Sequence, residues 1–309
     1  MPEIQKVAIL GAGAMGAYFA SRFFDTPGFS TALIASGQRL DRLKKNGIVV
    51  NGVPYLIPVI DPDRAGSPVD LIIVALKHQH LQGAVQDLAK LVGESTTFLS
   101  VMNGLESEET IGAIYGMEKV VYAISVGIDA LRSGNHVTYT KPGIHYFGEA
   151  ENRSISAKVR RIQRAFDRAG ISYETPEDMI RMLWWKFMIN VGVNQASAVL
   201  HAPYRVFQTN SEAQDLMKAL MQEVVALAKE RNVNLTQQDI TEWQLVLNQL
   251  SPEGKTSMLQ DIEAKRKTEV DIFGGKVVEL GAVHGIPTPV NQTVVQIIRI
   301  LEQNYLLDD

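Results

Sequence analysis

Three polar side chains recur at even intervals in an otherwise apolar stretch. Between Leu183 and Leu200 (LWWKFMINVGVNQASAVL), Lys186, Asn190 and Asn194 are spaced four residues apart. Each step of four turns a helix by about 40°, so the three are expected on one face within about 80°. A lysine and two asparagines are costly on an apolar helix unless they meet partners or a polar ligand. The ammonium can hold or give up a proton, and the amides can bind the oxygens of a small molecule. A purely structural polar seam between domains fits the spacing as well.

A second constellation stands near the start. Gly11, Gly13 and Gly16 have the spacing G-x-G-x-x-G within Gly11-Ala12-Gly13-Ala14-Met15-Gly16, directly after the apolar run Lys6–Leu10 and before a helical pattern over Ala14–Phe24. In that strand-turn-helix context the first glycine permits the tight turn. The second lets the backbone approach a pyrophosphate, and the third lets helix pack on strand. The helix N-terminus adds free N–H groups and positive dipole. The motif therefore predicts a bound dinucleotide. About twenty residues beyond the last glycine, where a carboxylate would take a ribose 2′-hydroxyl, stands Ser36, followed by Arg39. Ser36 and Arg39 could accept a 2′-phosphate, although Arg39 also fits a solvated helix residue. NADP is favoured as the cofactor, with NAD left open.

Other candidates carry less. His78 and His80 alternate after an apolar run without a carboxylate-histidine set to complete a metal site, so no metal is expected. Neither a G-x-S-x-G elbow nor a phosphate-loop lysine motif occurs. Trp184 and Trp185 read as packing residues, and Ala264-Lys-Arg-Lys267 as a solvated face.

These residues need elements to position them. Lys6–Leu10, Thr31–Ala35, Asp70–Leu76 and Thr97–Met102 read as short buried strands. Further strands are expected at Val120–Val126, His136–Thr140 and Ile144–Phe147, the last two as a hairpin or an edge. Beyond Thr175-Pro176 amphipathic helical patterns take over, at roughly Met179–Leu200, Ser211–Arg231, Gln237–Gln249, Ser257–Val283 and Val290–Asn304. The fold class is α/β: an N-terminal Rossmann dinucleotide-binding domain over 1–176 and an all-helical C-terminal domain over 177–309. Thr288-Pro289 is expected to open the last helix, and Asp308-Asp309 to be disordered.

With 309 residues the chain is long enough for two such domains. A net charge of −4 provides no global basic field for nucleic acid or an anionic membrane. Zero cysteines exclude disulfides, thiolate metal sites and cysteine nucleophiles. No apolar stretch reaches the ~20 residues of a membrane helix, and the N-terminus lacks a signal-peptide layout. A cytoplasmic protein, monomeric or homodimeric, is expected.

Together the motifs resemble the ketopantoate reductases (2-dehydropantoate 2-reductases) over nearly the whole chain. The resemblance rests on Gly11–Gly16, Leu76-Lys77, Asn103-Gly104, Leu183–Lys186 with Asn190 and Asn194, Thr256–Asp261 and Lys267–Asp271. It implies NADPH-dependent reduction of a 2-keto acid, with Lys186 as general acid. It further implies that Asn190, Asn194 and Ser257 bind substrate, and that Lys77 and Asn103 contact both cofactor and substrate. Ala130 would touch the cofactor through its backbone, and Glu269 would line the cofactor and substrate site. Ser257 and Glu269 are twelve residues apart, about 120° on one unbroken helix. A break near Lys267-Thr268, capped by Thr268, would let both line one site. The sequence departs from the family at Ser36, often arginine, and at His80, where a glutamine is usual. Tyr204 and Gly254 stand where some members carry asparagine. A relative acting on another branched or aromatic 2-keto acid with NADH, or a non-catalytic dinucleotide sensor, are the alternative readings.

Overall fold

The computed structural model of the chain describes residues 2–304; Asp308-Asp309 lie outside them. The chain divides into two compact units, Met1–Met182 and Leu183–Asp309. The division falls inside a helix that begins at Met179, a few residues past the composition change at Thr175-Pro176.

Among its described residues the first unit carries twelve strands. They are β1 (Lys6–Leu10), β2 (Ser30–Ile34), β3 (Ile48–Val50), β4 (Val53–Tyr55), β5 (Val59–Ile60) and β6 (Leu71–Val74), then β7 (Thr97–Ser100), β8 (Val120–Ile128), β9 (Leu131–Ser133), β10 (His136–Thr138), β11 (Pro142–Gly148) and β12 (Tyr173–Glu174). Eight form one sheet in the order β12-β11-β8-β7-β6-β1-β2-β5. From β5 to β8 every neighbouring pair is parallel, and only β8 and β11 run antiparallel. The central strands are apolar on both faces because both faces are covered, as a parallel sheet requires. Helices α1 (Ala14–Phe24), α2 (Gly37–Asn46), α3 (Leu81–Gln86), α4 (Ser107–Tyr115) and α5 (Ala157–Ala169) complete the unit. Phe19 and Phe23 of α1 and Phe166 of α5 pack in one core cluster, Leu81 and Val85 of α3 with Ile111 of α4 in the other. Chain order reverses between β1 and β6, the switch point at which open α/β sheets bind ligands.

Two sequence expectations change here. His136–Thr140 and Ile144–Phe147 do not form a hairpin, since β10 and β11 belong to different sheets. The hairpin is β9–β10, closed by the two-residue Gly134-Asn135 turn with Gly134 at φ +62, and β10 pairs on its other side with β3. The Asp129 carboxylate accepts the N–H groups of Thr140 and Lys141, both at 2.8 Å, and so directs the chain from one sheet to the other. Helix α5 was not singled out in the sequence. Its buried Val159, Ile162, Phe166 and Ala169 lie on one face, Ser156 caps it by accepting from Val159 N–H, and Gly170 ends it left-handed.

Among its described residues the second unit contains helices and connecting loops and no strand. Helix α6 (Met179–Ile189) runs through a π-helical turn, Asn190–Asn194, into α7 (Gln195–Leu200). Then follow α8 (Tyr204–Thr209), α9 (Ser211–Glu230), α10 (Gln237–Leu247), α11 (Ser257–Glu263), α12 (Gly274–His284) and α13 (Pro289–Asn304), with Pro289 opening the last. The pattern Ser257–Val283 is therefore not one helix. α11 ends at Glu263, Lys265 is left-handed at φ +51, and a 3-10 turn at Val270–Ile272 precedes α12. Thr268 Oγ1 accepts from Val270 N–H at 3.2 Å, a cap on that turn.

Candidate functional site

In the first unit β2, β1, β6, β7 and β8 are parallel neighbours. The loops that follow them all leave from one edge of the sheet. Those loops carry the glycine turn, Ser36, Lys77, Asn103 and Ala130. Five stretches scattered over 120 residues of sequence thus reach one edge.

The glycine turn shows which glycines the fold itself demands. Gly11 sits at φ +109, and a side chain there would collide with the Ala75 carbonyl. An added Cβ at Gly16 would strike the Gly11 carbonyl, so α1 can meet β1 closely only without one. At Gly13 the nearest atom to an added Cβ is the Ala75 oxygen at 3.9 Å. Packing therefore does not require glycine at 13. Gly13 is the N-cap of α1 and offers no side-chain cap, which leaves first-turn N–H groups for an anion. These features fit the pyrophosphate of a dinucleotide.

Ser36 is exposed at the N-cap of α2 and makes no capping bond. Arg39 lies on that helix. Burial first, then the neighbouring Arg42, holds the Arg39 guanidinium below the usual arginine range. Arg132 of β9 is lowered in the same way, by burial and by the charges of Arg39 and Arg42. Sequence reasoning missed Arg132 because its proximity to α2 comes from the pairing of β9 with β10 and of β10 with β3. Lys77 is exposed at the start of a short 3-10 turn, His78–His80. His78 Nε2 lies 3.6 Å from a carboxylate oxygen of Glu106, tying the Lys77 loop to the Asn103 loop.

In the second unit the π turn changes the expected geometry of the polar face. A wider i→i+5 turn is rare, and such turns recur at functional sites. It shifts the helical phase past Asn190, yet Asn194 Nδ2 donates to Asn190 Oδ1 at 3.1 Å, so the two amides stay together. Both are buried. Gln195 supports the turn: its Nε2 donates to Val191 O at 2.8 Å and to Asn291 Oδ1 at 2.9 Å. That role is not readable from local spacing, because Asn291 is 96 residues away. Burial alone pushes the Lys186 ammonium down to about 8.

Ser257 is the exposed first residue of α11, which packs on α7 and on the π turn. Its neighbour Thr256 caps α11 through Leu259 N–H and donates to Ser197 Oγ at 3.2 Å. Glu269 is half-buried at the start of the 3-10 turn and does not share a helix with Ser257. Tyr204 and Gly254, the two departures from asparagine, pack on each other. Tyr204 N–H donates to Gly254 O at 3.0 Å, and a Cβ on Gly254 would stand 2.8 Å from the tyrosine ring.

Residues 7–152 match the family model Ketopantoate reductase PanE/ApbA, and residues 178–302 match Ketopantoate reductase PanE/ApbA C terminal. The chain belongs to the ketopantoate reductase family. The 2-dehydropantoate 2-reductase of Archaeoglobus fulgidus is 24% identical over 300 residues, covering 97% of this chain and 99% of that protein. Among solved structures, D-mandelate dehydrogenase with NADH and anilino(oxo)acetate superposes with a TM-score of 0.87 at 22% identity, over 97% of this chain and 99% of that one. A dimeric ketopantoate reductase from Staphylococcus aureus gives 0.79 at 21% identity, over 97% and 99%. The ketopantoate reductase fold is thus matched along the full path of the chain.

Proposed function

We propose that this member of the ketopantoate reductase family reduces 2-dehydropantoate to (R)-pantoate, with NADPH preferred to NADH. The observation that carries the reading is Lys186, lowered by burial to about 8 and placed one turn before the buried Asn190–Asn194 amide pair. Bound NAD(P)H supplies the hydride. Gly11, Gly13 and Gly16 with the first turn of α1 hold the pyrophosphate, and Asn103 and Ala130 contact the same cofactor from neighbouring loops. Lys186 delivers a proton from Nζ to the keto oxygen as negative charge develops there. It remains charged at pH 7, and its lowered affinity for the proton makes it a better acid than an exposed lysine. Asn190, Asn194 and Ser257 bind substrate oxygens, Lys77 offers positive charge to the carboxylate, and Glu269 lines the cofactor and substrate site.

The preference for NADPH rests on Ser36 with Arg39, Arg42 and Arg132. Arg39 and Arg132 are each lowered by burial and by neighbouring guanidinium charge, and an added phosphate relieves that crowding. A second reading, another 2-keto acid with an aromatic or branched side chain, is favoured by the Tyr204–Gly254 contact, where amide groups are replaced by a ring. Oxidation of NADPH and of NADH is to be followed with ketopantoate and with aromatic 2-keto acids. The leading reading expects the highest kcat/KM for NADPH with ketopantoate. Turnover of an aromatic keto acid alone, with NADH, overturns it.

A further inference from the structure

A buried carboxyl group in the first unit has no part in the chemistry above. Glu108, 1% exposed, lies in the first turn of α4, and Ser107 Oγ donates to its Oε2 at 2.7 Å. With that proton committed, Ser107 Oγ accepts from Ser100 Oγ, again at 2.7 Å. Ser100 Oγ in turn lies 3.4 Å from the N–H of Met102. Ser100 ends β7 and Ser107 begins α4, so this buried chain closes the loop 101–106 across its two ends. That loop carries Asn103, and its Glu106 holds His78 beside Lys77.

Among the described residues no cation compensates Glu108. Glu109 on the same helix adds repulsion. From the elements packed on α4, Tyr122 of β8 is the phenol in range of its charge. In the 3-10 turn Met117–Lys119, Glu118 is a further acid, and Lys119 is engaged with the carbonyls of Gly93 and Glu94. Helix α3 and strand β7 contain no titratable side chain. Glu108 Oε1 accepts no hydrogen bond among the described residues. Burial pushes the carboxyl up to about 7, against the pull of the Ser107 hydroxyl and of the main-chain amides of Glu108 and Ala123. A charge formed here has to draw in water or shift the first turn of α4, and either disturbs Ser107.

We propose that Glu108, acting through Ser107 and Ser100, is a positioning residue that holds the 101–106 loop, and with it Asn103, in the form that binds the dinucleotide. The proposal rests on the reading that Asn103 contacts the cofactor. The neutral acid keeps the loop closed, and its ionisation loosens it, so cofactor affinity falls as pH rises through neutrality.

The test is the Kd for NADH and for NADPH between pH 6 and 8, with KM and kcat alongside, in wild type, E108Q, E108A and H78Q. Wild type should bind about fivefold more weakly at pH 8 than at pH 6, as a carboxyl near 7 in the free protein and about one unit higher in the complex gives. E108Q, which keeps an acceptor for Ser107 and cannot ionise, should hold the pH 6 affinity throughout. E108A should bind weakly at both pH values. H78Q should keep the wild-type pH dependence. If E108A does not fold, the contrast of E108Q with wild type still decides. An E108Q profile that tracks wild type, or a wild-type Kd unchanged from pH 6 to 8, overturns the proposal while leaving the cofactor reading intact. Failure of wild type to bind either dinucleotide removes that reading and the proposal with it.

Discussion

At the scale of single residues, the lysine on the second unit's polar face makes the sharpest demand. Desolvation is the sole cause lowering Lys186 to about 8 from an ordinary 10.5. Its charged form is the proton donor, so kcat for reduction should hold below pH 8 and fall above it, with an apparent pKa near 8. A basic limb near 10 would show that the proton comes from elsewhere. K186A should lower kcat by about 10²–10⁴-fold while the Kd for NADPH, read by fluorescence, changes little. Arg39 and Arg132 allow a separate check. R132A should raise KM for NADPH more than KM for NADH, since only the former carries the phosphate that three crowded guanidiniums would bind.

At the scale of elements, the strand-turn-helix at the start of the chain separates glycine's two uses. G16A places a methyl against the Gly11 carbonyl, between α1 and β1, and should yield unstable or insoluble protein. G13A meets nothing closer than 3.9 Å and should fold with near-normal Tm, yet lose dinucleotide affinity because the methyl occupies the phosphate's approach. Equal losses of stability in the two variants would refute this division. The same element shows what is legible in a sequence: β1 and α1 stand where the apolar run and glycine spacing placed them. The π turn at Asn190–Asn194 was not legible. Spacing of four predicts a plain α-helix, and the wider turn is supported by Gln195, which reaches Val191 O and a distant asparagine.

For the whole molecule, two buried groups of the first unit pull its pH response in opposite directions. His145, packed among Tyr18, Phe19 and Phe166 with Nδ1 at 2.8 Å from Ser125 Oγ, is pushed down to about 4 by burial. The unfolded chain binds that proton first on acidification, so the group's stabilisation is present above about 6.5 and is lost as pH falls toward 4. Glu108 is raised to about 7, so the folded state keeps a proton that the unfolded chain releases above about 4.5. Its contribution is full below 4.5 and is lost as pH rises to 7. Each shift corresponds to at most roughly 3 kcal/mol, and between pH 4.5 and 6.5 the two slopes cancel. Thermal unfolding should therefore be nearly flat over that window in wild type. In E108Q, Tm should drop on acidification from pH 6.5 to 4.5. A flat E108Q profile would show that His145 takes up no proton on unfolding.

What the sequence determined by itself was local in origin. A G-x-G-x-x-G turn between strand and helix, the apolar strands and the Lys186–Asn190–Asn194 spacing each lie within a short window, where backbone sterics and burial periodicity act. A break near Lys267-Thr268 is expected only because the family resemblance asks Ser257 and Glu269 to line one site; the periodicity itself runs on to Val283, whereas α11 ends at Glu263. Tertiary structure alone decided the contacts that span long separations. It paired β10 with β3 rather than with β11, brought Arg132 within charge range of Arg39, and buried Glu108 without a cation although its neighbour Glu109 on the same turn is exposed. Burial and electrostatic range depend on which elements pack together, and neither is written in the spacing of residues along one chain.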